Sequence, residues 1–163
     1  VPCFVYGAER TLPDIRRDAW TNLQPQYGPS APHSTAGAMC VGARDLLVAY
    51  NVWLNTKTSE KDARSIAQAV RGDGLRTLPL RVGNYWQISM NLIDPDRIGP
   101  DIATDRVINI AHQHNVVIDH CELVGLIAHS ALKKISENRW NELDLSADRT
   151  IEFRRRHGYR FTA

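Results

Sequence analysis

This chain lacks a cysteine pair, a long apolar run and an excess of either charge, and each absence closes off a class of function. Its three cysteines, Cys3, Cys40 and Cys121, lie far apart with no C-x-x-C among them. That excludes a zinc ribbon or a thioredoxin-type motif. An odd thiol count without a secretory pattern points to reduced cysteines and a cytoplasmic protein. No apolar stretch approaches membrane-spanning length. A net charge of +2 is too small to draw nucleic acid or a membrane surface. Aromatics make up only 7% of residues, which argues against a base-stacking platform. Internal repeats and low-complexity segments are absent too. What remains is an ordinary globular composition, 43% hydrophobic and 23% charged over 163 residues. That length can bury a core without disulfides. The chain starts at Val1 rather than Met, and the expectation is that a segment upstream was removed or left out.

Hydrophobic periodicity lays out the elements. Cys3 to Tyr6 reads as a short buried strand stopped by Gly7, and Thr11 to Trp20 as a short helix with Arg16 and Arg17 exposed. Gln24 to Ala43 is a long loop, broken by Pro29 and Pro32, with a short strand near Met39-Cys40-Val41. Asp45 to Asn55 alternates strictly, so Leu46, Val48, Tyr50, Val52 and Leu54 share one face. Ser59 to Arg71 carries Ala63, Ile66, Ala67 and Val70 at helical spacing, capped by Thr58 or Ser59 and ended by Gly72 and Gly74. Strands Thr77 to Val82 and Tyr85 to Ile93 meet at Gly83-Asn84. Pro100 opens a helix over Asp101 to His114, with Val107, Ile110, Ala111 and His114 as its apolar stripe. Val116 to Leu123 is the last strand, Ser130 to Arg139 a short helix, and the rest a polar tail with a basic run at Arg154-Arg155-Arg156.

From Asp45 the order is βαββαβ. That predicts an α/β chain of the α+β kind: a ferredoxin-like sandwich with an antiparallel sheet and both helices on one face. Residues 1–44 then supply an N-terminal strand, a short helix and a ligand-binding loop, and residues 45–163 the domain proper. The sheet's second face would carry Asn51, Trp53, Asn55, Gln87, Ser89 and Asn91. One reading is a solvated face, common in antiparallel sheets. The other follows from its composition: uncharged amides suit paired recognition of heterocycle edges and amide groups. A second protein layer over this face, with a ligand between, is the preferred reading.

Several motifs occur in a set order: Tyr6-Gly7, Leu12-Pro13-Asp14-Ile15-Arg16-Arg17, Gly28-Pro29-Ser30, Gly37-Ala38 and Val41-Gly42-Ala43-Arg44. Leu47-Val48-Ala49-Tyr50-Asn51-Val52, Gln87-Ile88-Ser89-Met90-Asn91-Leu92-Ile93-Asp94 and Glu122-Leu123-Val124-Gly125-Leu126 follow. In this order and spacing the chain, from Val1 to about Leu132, resembles the formiminotransferase domain of glutamate formimidoyltransferases. The resemblance implies two α/β subdomains with a tetrahydrofolate tunnel between their sheets. Here it covers the last strand of the first subdomain and all of the second. It also implies transfer of a formimino group from N-formimino-glutamate to N5 of the folate, in histidine and one-carbon metabolism. The family's catalytic histidine falls in a segment without a counterpart here, so no catalytic residue is assigned. The expected partners are small-molecule substrates, an N-terminal subdomain or partner chain, and further copies of the protein. The alternatives are a non-catalytic folate-binding or scaffold module, or a transferase with a changed donor or acceptor.

The family's folate-binding loop corresponds to Gly28-Pro29-Ser30-Ala31-Pro32-His33-Ser34-Thr35-Ala36-Gly37. Small residues there let a flat pterin approach the backbone, and His33, Ser34 and Thr35 offer polar contacts. His33 reads either as a ligand contact and proton shuttle or as a loop-stabilising hydrogen-bond partner. Arg44 reads as a carboxylate clamp for the glutamate end of a ligand, or as half of a salt bridge at the start of the strand. Asn51, Trp53, Gln87, Ser89 and Asn91 complete the candidate substrate face. His112 and His114, two apart on a helix, do not share a face as metal ligands would. His120 and Glu122 share one face of a strand, as a surface pair rather than an acid–base pair. Departures from the family pattern are Gln26 for an acidic residue, Trp53 for a frequent Asn, Cys121 for Ser and Ala128 for Pro. Trp53 would narrow or reshape the pocket.

Overall fold

The computed structural model describes residues 1–7 and 9–158. It divides into two compact units, Val1–Asp45 and a larger one beginning at Leu46.

The larger unit has the predicted ferredoxin-like topology. Its strands are β3 (Val48–Leu54), β4 (Leu75–Val82), β5 (Tyr85–Leu92) and β6 (Ile118–Val124), and its main helices are α2 (Glu60–Val70) and α3 (Pro100–Gln113). The sheet runs β4-β5-β3-β6, with every neighbouring pair antiparallel. Leu46 lies before β3 and is exposed, and the predicted alternation holds from Val48 on, since Val48, Tyr50, Val52 and Leu54 are all buried. Ile88, Met90 and Leu92 of β5 join them, and Ala63, Ile66, Ala67 and Val70 of α2 close the layer. Ser59 is the cap of α2, its side chain accepting from the Asp62 N–H. Thr77 on β4 is buried and donates its hydroxyl to the Ala67 carbonyl, which ties α2 to the sheet. Pro79 is tolerated because β4 is an edge strand.

Three expectations are corrected by the packing. The stripe of α3 is Ala103, Thr104, Val107 and Ala111, whereas Ile110 and His114 are half-buried. His114 turns to Asp62 on α2, with Nδ1 at 3.3 Å from the carboxylate. The single helix expected over Ser130 to Arg139 is two short pieces, α4 (His129–Leu132) and a 3-10 turn at Glu137–Arg139, because Leu132 and Ile135 both bury into the core. The region after Arg139 is no polar tail. Leu143, Leu145 and Thr150 are buried, and the Tyr50 hydroxyl donates to the Leu143 carbonyl at 2.9 Å. The basic run lies on α5 (Ile151–His157), capped by Thr150, with Arg154 paired to Asp148 at 3.1 Å.

The smaller unit holds β1 (Cys3–Tyr6) and β2 (Met39–Gly42) as a parallel pair, and α1 (Leu12–Asp18). Thr11 and Asp14 form a capping box at the start of α1. The β1 strand is buried only at Phe4; Val5 and all of β2 are exposed. Two strands give too little sheet to bury both faces. Gly42 is required by packing: a Cβ there would lie 2.3 Å from the Tyr6 carbonyl oxygen.

Candidate functional site

The second face of the larger unit's sheet gathers the amide-rich set. The β3–β5 register places Asn51 opposite Ser89, Trp53 opposite Gln87 and Ala49 opposite Asn91. On the other side of β3, Asn51 faces Glu122 and Trp53 faces His120. Asn51, Trp53, Gln87, Ser89 and Asn91 therefore share one face, as the alternation predicted. Asn55 does not join them. The register shifts after Trp53, and the Asn55 carboxamide oxygen accepts from the Lys57 N–H and the Thr58 hydroxyl, so it caps a turn.

This face is built, rather than merely wetted. The Asn51 Nδ2 and the Trp53 Nε1 both donate to the same Glu122 oxygen, Oε2, each at 2.9 Å. The Trp53 ring stacks on His120, with centroids 5.2 Å apart and planes 14° apart, and meets Tyr85 edge-on at 6.1 Å. The His120 Nδ1–H donates to Asp119 at 2.7 Å, so the stacked ring is held from both sides. Asn51 and Gln87 are each only 7% exposed. Gln87 has no side-chain hydrogen bond among the described residues.

Residue-by-residue reading missed the apolar margin of the face and the hub at Glu122. Leu78, Leu80 and Val82 pair with Ser89, Gln87 and Tyr85, so they lie beside the amides, and Leu78 is 57% exposed. The signal was present in the sequence: the two-residue Gly83-Asn84 turn fixes the β4–β5 register, which sends these three residues to the amide face. Exposed apolar side chains beside buried amides mark a surface suited to a partner or a flat ligand.

The candidate loop Gly28 to Gly37 belongs to the smaller unit and is exposed along its length. It is ordered by its own bonds. His33 and Gly37 exchange both backbone hydrogen bonds, at 2.8 and 2.9 Å. The His33 Nδ1 accepts from the Thr35 and Ala36 N–H groups at 3.3 and 3.2 Å, which leaves the ring proton on Nε2. His33 thus has the loop-stabilising role, with Nε2 as its remaining donor. Gly28 is explained by the chain itself: φ is +83° and a Cβ would lie 2.8 Å from the Val1 carbonyl oxygen. Arg44 is exposed and donates to the Asp45 carbonyl at 3.1 Å, with no salt bridge among the described residues. Cys121 is buried, and burial pushes its thiol up. No described helix is long and apolar enough to cross a membrane.

Fold and face together define a ferredoxin-like α+β domain with one open, amide-lined sheet face. No protein-family model matches the chain. Curated proteins do. A glutamate formimidoyltransferase of Thermoplasma acidophilum is 36% identical over 130 residues, covering 76% of this chain and 41% of the relative. One from Streptococcus pyogenes is 27% identical over 159 residues, covering 84% of this chain and 53% of the relative. The formimidoyltransferase-cyclodeaminase of Rattus norvegicus is 28% identical over 160 residues, covering 81% of this chain and 29% of the relative. The chain belongs to the glutamate formimidoyltransferase family. It spans about half, or less, of the length of these relatives.

Proposed function

We propose that this chain is the folate-side part of a formimidoyltransferase. In the whole enzyme the N5 amine of tetrahydrofolate attacks the amidine carbon of N-formimino-L-glutamate, forming a C–N bond and a tetrahedral adduct. The adduct then breaks its bond to the glutamate nitrogen, N5 gives up its proton and the leaving amine gains one. Positioned acid–base groups typically contribute about 10²–10⁴-fold to such a step. Holding two substrates in register can lower the barrier by roughly 7–11 kcal/mol. The base belongs to a segment outside this chain. This chain supplies binding and orientation.

The observation that carries the reading is the 36% identity over 130 residues with a glutamate formimidoyltransferase. The residues present also fit a reduced folate. The Gln87 carboxamide has no hydrogen-bond partner among the described residues, and its polar atoms are not sealed from solvent, so its donor and acceptor are available to a ligand. The apolar margin of Leu78, Leu80 and Val82 suits a flat ring or a covering subdomain. In this reading the Gly28 to Gly37 turn and Arg44 contact the pterin and the glutamate end. The N-terminal subdomain, or a partner chain in a homo-oligomer, covers the sheet face. The free thiols of Cys3, Cys40 and Cys121 suit a reducing cytoplasm.

Calorimetric titration of the 163-residue chain with tetrahydrofolate tests the proposal. The expected result is weak, saturable binding and no turnover, because roughly 1.4 kcal/mol of lost contact already costs tenfold in affinity. Absence of binding at millimolar ligand favours a scaffold module. Turnover of N-formimino-L-glutamate by this chain alone would show that the base lies within it.

A further inference from the structure

Glu122 is the carboxylate of the open sheet face, and its two oxygens are treated differently. Oε2 receives both N–H groups, from Asn51 and Trp53, at 2.9 Å each. Oε1 has no partner among the described residues. Here two strong donors immobilise the group through one oxygen and leave the other with both lone pairs open. Across Trp53 in the register stands Gln87, 7% exposed and also without a partner among the described residues. The stacked Trp53–His120 pair, fixed by Asp119, makes a flat aromatic wall beside both.

An anchored anion, an unpartnered donor–acceptor amide and a flat wall match one ligand chemistry: a planar N–C–N edge presenting N–H groups. We propose that Glu122 anchors a subsite for such an amidine-type edge, with Asn51 and Trp53 as positioning residues and Gln87 as the neutral polar contact. The inference rests on the formimidoyltransferase reading only for the ligand's source. The formimino amidine of the donor and the aminopyrimidinone edge of a reduced pterin both present this edge. A carboxylate pairs with a planar N–C–N group as it does with guanidinium, by charge-assisted hydrogen bonds that neutral isosteres do not reproduce.

The test is a titration of the ¹⁵N-labelled 163-residue chain with formamidinium, followed at the Trp53 indole N–H and the Asn51 side-chain amide. Urea is the neutral control. Formamidinium should shift both resonances, and urea should not. Glu122→Gln keeps an acceptor for Trp53 and removes the charge, so it should weaken formamidinium binding by about tenfold or more. Gln87→Leu should weaken it by a smaller factor, and it carries the test should Glu122→Gln not fold. Equal binding of urea, or unchanged affinity in both variants, overturns the subsite. Repeating the titration with N-formimino-L-glutamate and with a tetrahydropterin identifies the source by which ligand depends on Glu122. Tetrahydrofolate binding, with formamidinium and N-formimino-L-glutamate both indifferent to Glu122→Gln, overturns this inference and leaves the proposed function standing. Formamidinium binding that is lost in Glu122→Gln, with no folate binding at all, does the reverse.

Discussion

Replacing Trp53 separates the two ways in which it organises the face. Trp53→Phe removes the indole N–H but keeps a ring against His120 and Tyr85. Glu122 then loses one of its two donors. A hydrogen bond to a charged group is worth about 1.5–3 kcal/mol when buried, and Trp53 and Glu122 are half-buried, so a cost of about 1 kcal/mol is expected. Trp53→Ala also removes the 5.2 Å stack and the 6.1 Å edge contact. Each such pair is worth about 0.5–1.5 kcal/mol beyond burial. Adding these gives roughly 2–4 kcal/mol for the alanine variant. In a chain of this size 1 kcal/mol moves the melting temperature by about 2–4 °C, so the losses are roughly 2–4 °C and 4–16 °C. Thermal melts followed by far-ultraviolet circular dichroism, in the transition of the unit beginning at Leu46, measure both. If Trp53→Ala melts with the parent, the ring supports nothing and the face is not organised around it. If Trp53→Phe costs as much as Trp53→Ala, the stacking argument is wrong.

Other outcomes follow from the same packing. Tyr50→Phe removes the hydroxyl that donates to Leu143 and strands a buried carbonyl, so it should cost about 1–3 kcal/mol in urea denaturation. Tyr85→Phe, whose hydroxyl has no partner among the described residues, should cost less than about 0.5 kcal/mol. Acid should weaken the helix ends first. A hydrogen bond from the Thr11 side chain holds the Asp14 carboxyl below its ordinary 3.8, and Ser59 does the same for Asp62. A lowered carboxylate adds stability that is complete above the ordinary value and is lost as pH falls through the folded one. Helical circular dichroism should therefore be flat from neutral pH to about 5 and decline below about 4, whereas a decline centred near pH 6 would contradict this. Among the thiols, exposed Cys40 should react rapidly with a disulfide reagent, and buried Cys121 only on unfolding. Rapid native labelling of Cys121 would refute its placement in the core.

The topology of the larger unit was legible because its signals are local and periodic. The alternation of β3, the helical spacing of Ala63, Ile66, Ala67 and Val70, and the Gly83-Asn84 turn each specify an element without tertiary help. The region after Ser130 was not legible, since Leu132, Ile135, Leu143 and Leu145 follow neither period and bury through irregular turns. In the candidate site, the face of Asn51, Trp53, Gln87, Ser89 and Asn91 could be read from strand alternation alone. The Glu122 hub could not, because it depends on the β3–β6 register, which sets Glu122 opposite Asn51 and has no local signature. Asn55 was misplaced by carrying the alternation past the end of β3 at Leu54. His33 shows the opposite limit: its residue type suggested proton chemistry, and its Nδ1 is occupied by its own turn.

The central claim is the proposal that the amide-lined sheet face of the larger unit binds a reduced folate. Amide and side-chain chemical shifts recorded while the chain is titrated with tetrahydrofolate, under reducing conditions, test it most directly. The account predicts that perturbations within the larger unit concentrate at Trp53, Gln87, Ser89 and Asn91. It also predicts that the groove of Arg71, Arg106 and Ile110 between α2 and α3 stays silent. Shifts confined to that groove, or none at saturating ligand, would contradict it.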